Sequence, residues 1–164
     1  FKSALLPSGE GDMAWEIGDK GFNIVLSSYV PGIIGANIRG LIEGVLRQSG
    51  LEIDDVEEWA VHPGGRSILD KVESALGLLP SACAASREVL RRFGNMSSAT
   101  VLFVLKELMG KDDASGTTCA LAFGPGLTIE TALLEGISGR VALTRDNLEE
   151  SDRFDSAALA QSLA

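Results

Sequence analysis

The sequence predicts an α/β fold, and three of its features carry that expectation. Two segments of strand period, residues 12–18 and 21–28, precede a helical run from Pro31 to about Ser49. A short apolar segment, residues 56–61, ends directly in His62-Pro63-Gly64-Gly65, and helical period returns over residues 66–76. Two further apolar strands, residues 117–124 and 127–135, flank Gly124-Pro125-Gly126. In such arrangements function usually sits where strands end and loops begin.

Each element has a local cause. Asp19-Lys20-Gly21 separates the first two strands as a hairpin-type turn. Pro31 suits a helix start, and Gly50 suits its end. Between them Ile33, Ile34, Ile38, Leu41, Ile42, Val45 and Leu46 recur at helical spacing. Ile68, Leu69, Val72 and Leu76 lie on one face of the next helix. Ser86 fits an N-cap or second turn of a helix ending near Phe93, where Gly94-Asn95 breaks it. Residues 97–109 read as another apolar helix. Beyond Gly136 the character changes. The expected domain covers residues 1–136, followed by a polar, acidic tail over 137–164 in which residues 156–163 could form a helical turn.

Composition narrows the class. A chain of 164 residues with 45% hydrophobic and 23% charged residues can build a core. The net charge of −9, from 14 basic and 23 acidic residues, makes nucleic acid and anionic membranes poor partners. No apolar run is long enough to span a membrane. Cys83 and Cys119 lack a paired spacing, so a reducing, cytoplasmic setting fits. Cys83 reads as part of a polar loop and Cys119 as part of an apolar strand, where a thiol is usually inert. The start at Phe1 has neither Met nor a signal-peptide layout and reads as cut from a longer chain.

Three segments stand out chemically. In Trp59-Ala-Val-His62-Pro-Gly-Gly65 a strand delivers the single His of the chain into a turn. The glycines leave space beside the imidazole and let backbone approach a ligand. In Phe93-Gly94-Asn95-Met96-Ser97-Ser98-Ala99 an Asn stands at a helix start, where by itself it reads as a cap. In Ala122-Phe123-Gly124-Pro125-Gly126-Leu127-Thr128-Ile129-Glu130 a glycine-bearing turn joins two strands. It is no nucleotide fingerprint, because no phosphate-binding helix follows.

Taken together and in this order, the three segments resemble the type III polyketide synthases, the chalcone and stilbene synthase family. The connectors match as well: Val30-Pro31-Gly32-Ile33, Ile68-Leu-Asp70 with Val72-Glu73, Ser86-Arg-Glu-Val-Leu90 and Val101-Leu-Phe-Val-Leu105. The resemblance covers about residues 10–136. It implies the carboxy-terminal half of a thiolase-like fold, a mixed sheet with packed helices. It also implies a decarboxylative condensation of malonyl-CoA with an acyl-CoA starter, with no cofactor beyond the CoA thioesters. His62 and Asn95 take the family's catalytic His and Asn positions. The catalytic Cys would belong to an amino-terminal half, and the complete enzyme would be a homodimer.

By the same resemblance Gly124, Pro125, Gly126 and Ser97 would line the cavity in which products cyclise. Gly64, Gly65 and Ser67 would lie near the pantetheine arm of CoA. Ile24 stands where plant chalcone synthases carry a gatekeeping Phe, which suggests a different pocket mouth. Two other readings compete. The 3-ketoacyl-CoA synthases share the His and Gly-Asn features but lack Phe-Gly-Pro-Gly-Leu-Thr. A half-domain without the Cys could instead be a non-catalytic interaction module.

Overall fold

The computed structural model describes residues 1–6, 9, 11–19, 21–110 and 116–136, with Trp15, Phe22 and Ile24 described by backbone alone. The expected tail, with its helical turn, lies outside the described residues, as does Lys20 of the first hairpin. The elements run β1 (Lys2–Leu5), β2 (Met13–Gly18), β3 (Gly21–Leu26), α1 (Val30–Gln48), β4 (Glu58–Val61), α2 (Arg66–Leu76), α3 (Ala84–Phe93), α4 (Thr100–Met109), β5 (Gly116–Gly124) and β6 (Thr128–Gly136).

The main sheet is mixed, with strand order β1-β6-β5-β4. Only the β4–β5 pair is parallel, and the chain between the two strands runs through three helices, the long crossover that a parallel pair needs. β2 and β3 form a separate hairpin whose last paired residues are Gly18 and Gly21. Strand β1 is an element the sequence pattern did not reveal. It is four residues long and gains its structure by pairing with β6, more than a hundred residues away.

Alternation along the strands sends side chains to two faces. Trp59, Val61, Cys119, Leu121 and Ile129 join the cluster formed with α1 and α2. There Ile34, Ile38 and Ile42 are fully buried at four-residue spacing, one stripe of α1. Each contributes about 1.5–3 kcal/mol relative to an exposed position. On the opposite face Ala60, Ala120 and Ala132 stand in register across β4, β5 and β6. These small side chains admit α3 and α4, whose Val89, Val104 and Leu108 close the second cluster.

Three local readings are corrected. Ser86 is no cap: α3 begins at Ala84, so Ser86 lies inside its first turn, fully buried. Cys83 is likewise not in a polar loop but packs in the main core as the residue before that helix. Its thiol satisfies a core site that its polar sequence neighbours concealed. The expected helix over residues 97–109 splits into a 3-10 turn, Ser97–Ala99, and α4 proper.

Candidate active site

His62 follows β4 directly. Its backbone N–H donates to Leu121 O at 2.7 Å, so the ladder with β5 extends one step past the strand. The Gly64 N–H then returns to His62 O at 3.0 Å. This is a three-residue turn centred on Pro63, whose fixed φ suits it. The turn stops the strand and leaves the imidazole at the carboxyl end of the sheet, 8% exposed. Burial lowers the His62 pKa below its usual 6.5, because a dry site penalises the charged ring. The ring is therefore neutral near pH 7, with one nitrogen a donor.

The glycines that follow differ in what they do. A Cβ on Gly64 would stand 3.8 Å from His62 Cδ2 and 4.0 Å from Nε2. Any longer side chain there would grow over that edge of the ring. Gly65 has extended backbone that any residue adopts, and a Cβ there would meet nothing within 4 Å. Ser67 is exposed in the first turn of α2.

Asn95 arrives from the opposite direction, off the end of α3. Gly94 makes the bend at φ 71°, a region where a Cβ is disfavoured. The Asn95 Oδ1 accepts the Ser97 N–H at 2.9 Å. Its Nδ2 donates to the Gly64 carbonyl at 3.2 Å. The first bond decides which carboxamide atom is oxygen, and hence which is the donor. Asn95 is thus more than the cap its position suggested: it joins the Asn loop to the His loop. Ser97 itself holds φ 60°, one of two non-glycine residues with positive φ among the described residues.

The Gly124-Pro125-Gly126 turn lies at the same end of the sheet, three residues beyond Leu121 on β5. A Cβ on Gly124 would come within 2.6 Å of Thr128 Oγ1. Gly126 takes φ 73° and donates its N–H to Met13 O at 2.7 Å. That bond ties the turn to the β2–β3 hairpin. Ile24 lies on β3 opposite Trp15, and its side chain lies outside the described residues.

Two residues outside the motifs tie together the segments that carry the site. Arg87 of α3 reaches back to α2, 2.7 Å from Asp70 Oδ1, and also pairs with Glu73. It thereby couples the helix that follows His62 to the helix that precedes Asn95. Thr100, fully buried, accepts the Met96 N–H and donates to Ser97 O, both at 2.8 Å. Sequence reasoning missed both. An Arg facing two acids across the α2–α3 connection was the available signal for one, and a Thr opening an apolar helix for the other.

The two thiols offer no nucleophile. Burial pushes Cys83 up to about 12, reinforced by the neighbouring Glu73 carboxylate, and burial alone pushes Cys119 to about 12. Both stay protonated at neutral pH. Among the described residues no group of three acidic, His or Cys side chains is placed to hold a metal ion. Nor is any described helix long and apolar enough to cross a membrane.

Comparison with known proteins bears on the family and the fold. Residues 2–138 match the family described as chalcone and stilbene synthases, C-terminal domain. The fold is similar to that of PKS-I from the brown alga Ectocarpus siliculosus, with a TM-score of 0.77 and 34% identity. That match covers 83% of this chain and 38% of the algal chain, so the present chain spans well under half of its relative. The ordered motifs, the mixed sheet and both comparisons lead to one assignment: this chain belongs to the chalcone and stilbene synthase family, as its thiolase-like carboxy-terminal domain.

Proposed function

We propose that this domain supplies the oxyanion-stabilising part of a polyketide-forming acyltransferase. The observation that carries the reading is the hydrogen bond from Asn95 Nδ2 to the Gly64 carbonyl. It brings the His62 turn and the Asn95 turn together at the carboxyl end of the sheet.

In the proposed reaction malonyl-CoA loses CO₂, and the electrons of the broken C–C bond move onto the thioester oxygen as an enolate. The neutral His62 ring and the Asn95 amide donate to that oxygen. One such donor is typically worth about 2.7–4 kcal/mol. The enolate carbon then attacks an acyl group carried on a Cys thioester, and the Cys leaves as thiolate. That Cys would come from an amino-terminal half, because Cys83 and Cys119 are buried thiols. No cofactor beyond the CoA thioesters enters this scheme.

Gly64, Gly65 and Ser67 would flank the pantetheine arm. Gly65 suits the role, since nothing in this chain requires a glycine there. Gly124, Pro125 and Gly126, with Ser97 and Ile24, would shape the cavity for the growing chain. The complete enzyme would be a cytoplasmic homodimer of secondary metabolism. Assembly is favoured over a free-standing interaction module by α4, which leaves Leu102 63% and Met109 76% exposed.

The test is to assemble the chain with an amino-terminal half and follow malonyl-CoA decarboxylation. His62→Ala is expected to lower turnover by about 10²–10³-fold. Unchanged turnover would remove His62 from the mechanism.

A further inference from the structure

We propose that Thr100 is a positioning residue that decides which atom of the Asn95 carboxamide faces the substrate. This rests on the reading of Asn95 as an oxyanion donor.

Thr100 lies outside all three motifs, yet its hydroxyl is the most heavily used in the site. It is fully buried at the first residue of α4. Its oxygen accepts the Met96 N–H and donates to Ser97 O, each at 2.8 Å, with Asn95 Oδ1 at 3.5 Å as a weaker alternative acceptor. A hydroxyl has one proton and two lone pairs, so these contacts occupy its proton and one lone pair. Together they grip the Met96–Ser97 segment from both sides.

The grip has a consequence for Ser97, which it holds at φ 60°. A residue with a Cβ leaves that conformation unless its surroundings over-determine it. With the Met96–Ser97 segment so held, the Ser97 N–H points at Asn95 Oδ1, 2.9 Å away. The oxygen of the carboxamide is therefore engaged within its own loop. The nitrogen must face outward, where one proton goes to Gly64 O at 3.2 Å. Among the described residues the second proton takes no partner.

The orientation needs this help. The two ends of a carboxamide are nearly equal in size, so packing alone does not distinguish them. If the Met96–Ser97 segment comes loose from Thr100, the Ser97 N–H leaves Oδ1, and only the 3.2 Å bond to Gly64 O still opposes a turn of the group. After such a turn an oxygen would face the enolate, and attraction would become repulsion. The loss would fall on the transition state, where the charge develops, rather than on substrate binding.

The test uses the chain assembled with an amino-terminal half and malonyl-CoA as the probe. Thr100→Val keeps the shape and removes the hydroxyl, and Thr100→Ala serves as a second loss variant should the extra methyl disturb α4. Thr100→Ser keeps the hydroxyl. We expect the loss variants to lower the decarboxylation kcat by roughly 10–100-fold, with KM changed by less than about twofold. Thr100→Ser should stay within about threefold of the parent. An independent readout is the side-chain amide pair of Asn95 in nitrogen-15 NMR spectra, assigned by its disappearance in Asn95→Ala. The pair should shift in Thr100→Val and return in Thr100→Ser.

A Thr100→Val protein that loses thermal stability but keeps both kcat and the Asn95 amide signals would overturn the proposal. So would a Thr100→Ser protein as impaired as the valine variant. If Asn95→Ala itself leaves decarboxylation intact, the functional reading fails, and the amide signals alone then decide the role of Thr100.

Discussion

Asn95 Nδ2 donates to the carbonyl oxygen of Gly64 across 3.2 Å, linking two loops that lie 31 residues apart in sequence. Each loop leaves its own secondary-structure element, one the end of β4 and the other the end of α3. Without that bond the His62 and Asn95 side chains would hang on separate hinges. With it the Asn95 side chain is tied to the turn that carries His62.

Replacing Asn95 by Asp tests that bond. The side chain keeps its shape, and one oxygen still accepts the Ser97 N–H. The other oxygen then meets the Gly64 carbonyl, acceptor against acceptor. Decarboxylation by the assembled enzyme should fall by about 10²–10³-fold. Chemical denaturation should show a stability loss of about 1–2 kcal/mol. An Asn95→Asp protein of parental stability would mean that the Gly64 bond contributes nothing to the loop.

The pH dependence of stability should carry a signature of His62. Its folded pKa lies below the unfolded 6.5 because burial disfavours the charged ring. Below 6.5 the unfolded chain therefore takes up a proton more readily than the folded one. The His62 contribution is fully present above 6.5 and is lost as pH falls through 6.5 towards the folded value. Urea unfolding from about pH 8 to about pH 5 should show this loss in the parent and a smaller one in His62→Gln. Parallel curves for the two proteins would contradict the assignment.

Arg87 should matter more than a surface ion pair. Its partner Glu73 has a side chain only 9% exposed. Removing the cation strands a buried carboxylate. Arg87→Leu should cost about 2–3 kcal/mol, below the 3–5 of a fully buried pair because the Arg side chain is 33% exposed. Adding Glu73→Leu should recover part of that loss, since the stranded charge is then gone. Thermal or urea unfolding of the single and double variants measures both effects, and an additive double variant would refute the coupling.

The outer face of α4 should behave as an assembly surface. Leu102 is 63% exposed, Met109 76% and Phe103 39%. Phe103 also packs against Phe93, with ring centroids 5.3 Å apart and the rings tilted 57°. The isolated chain should bind an environment-sensitive dye and scatter light. Leu102→Glu should reduce both while leaving the far-ultraviolet circular dichroism unchanged. It should also weaken association with an amino-terminal half by at least about tenfold, the cost typical of a buried apolar anchor. Unaltered association would place the interface elsewhere.

How much of this was legible in the sequence varied with the range of the interactions. Helix α1 was readable to within a residue or two, because Ile34, Ile38 and Ile42 repeat at the helical period and Pro31 marks the start. The first hairpin and the 124–126 turn were readable because glycine is required there by the chain itself. Strand β1 was not readable, since its structure comes from β6. Nor was the burial of Cys83, which depends on helices packed around it rather than on its polar neighbours.

The sequence by itself determined the order of the elements after β1, the apolar stripes of α1 and α2 and the family to which the motifs belong. These follow from side-chain periodicity and from turn residues, which act within a few positions of the chain. Only the tertiary structure decided that Asn95 reaches Gly64, that its oxygen accepts from Ser97, that Thr100 bonds the Met96–Ser97 segment and that Arg87 ties α3 to α2. The reason is physical. Hydrogen bonds between loops are fixed by helices packing on a twisted sheet, and no local pattern encodes the distance at which two such loops come to rest.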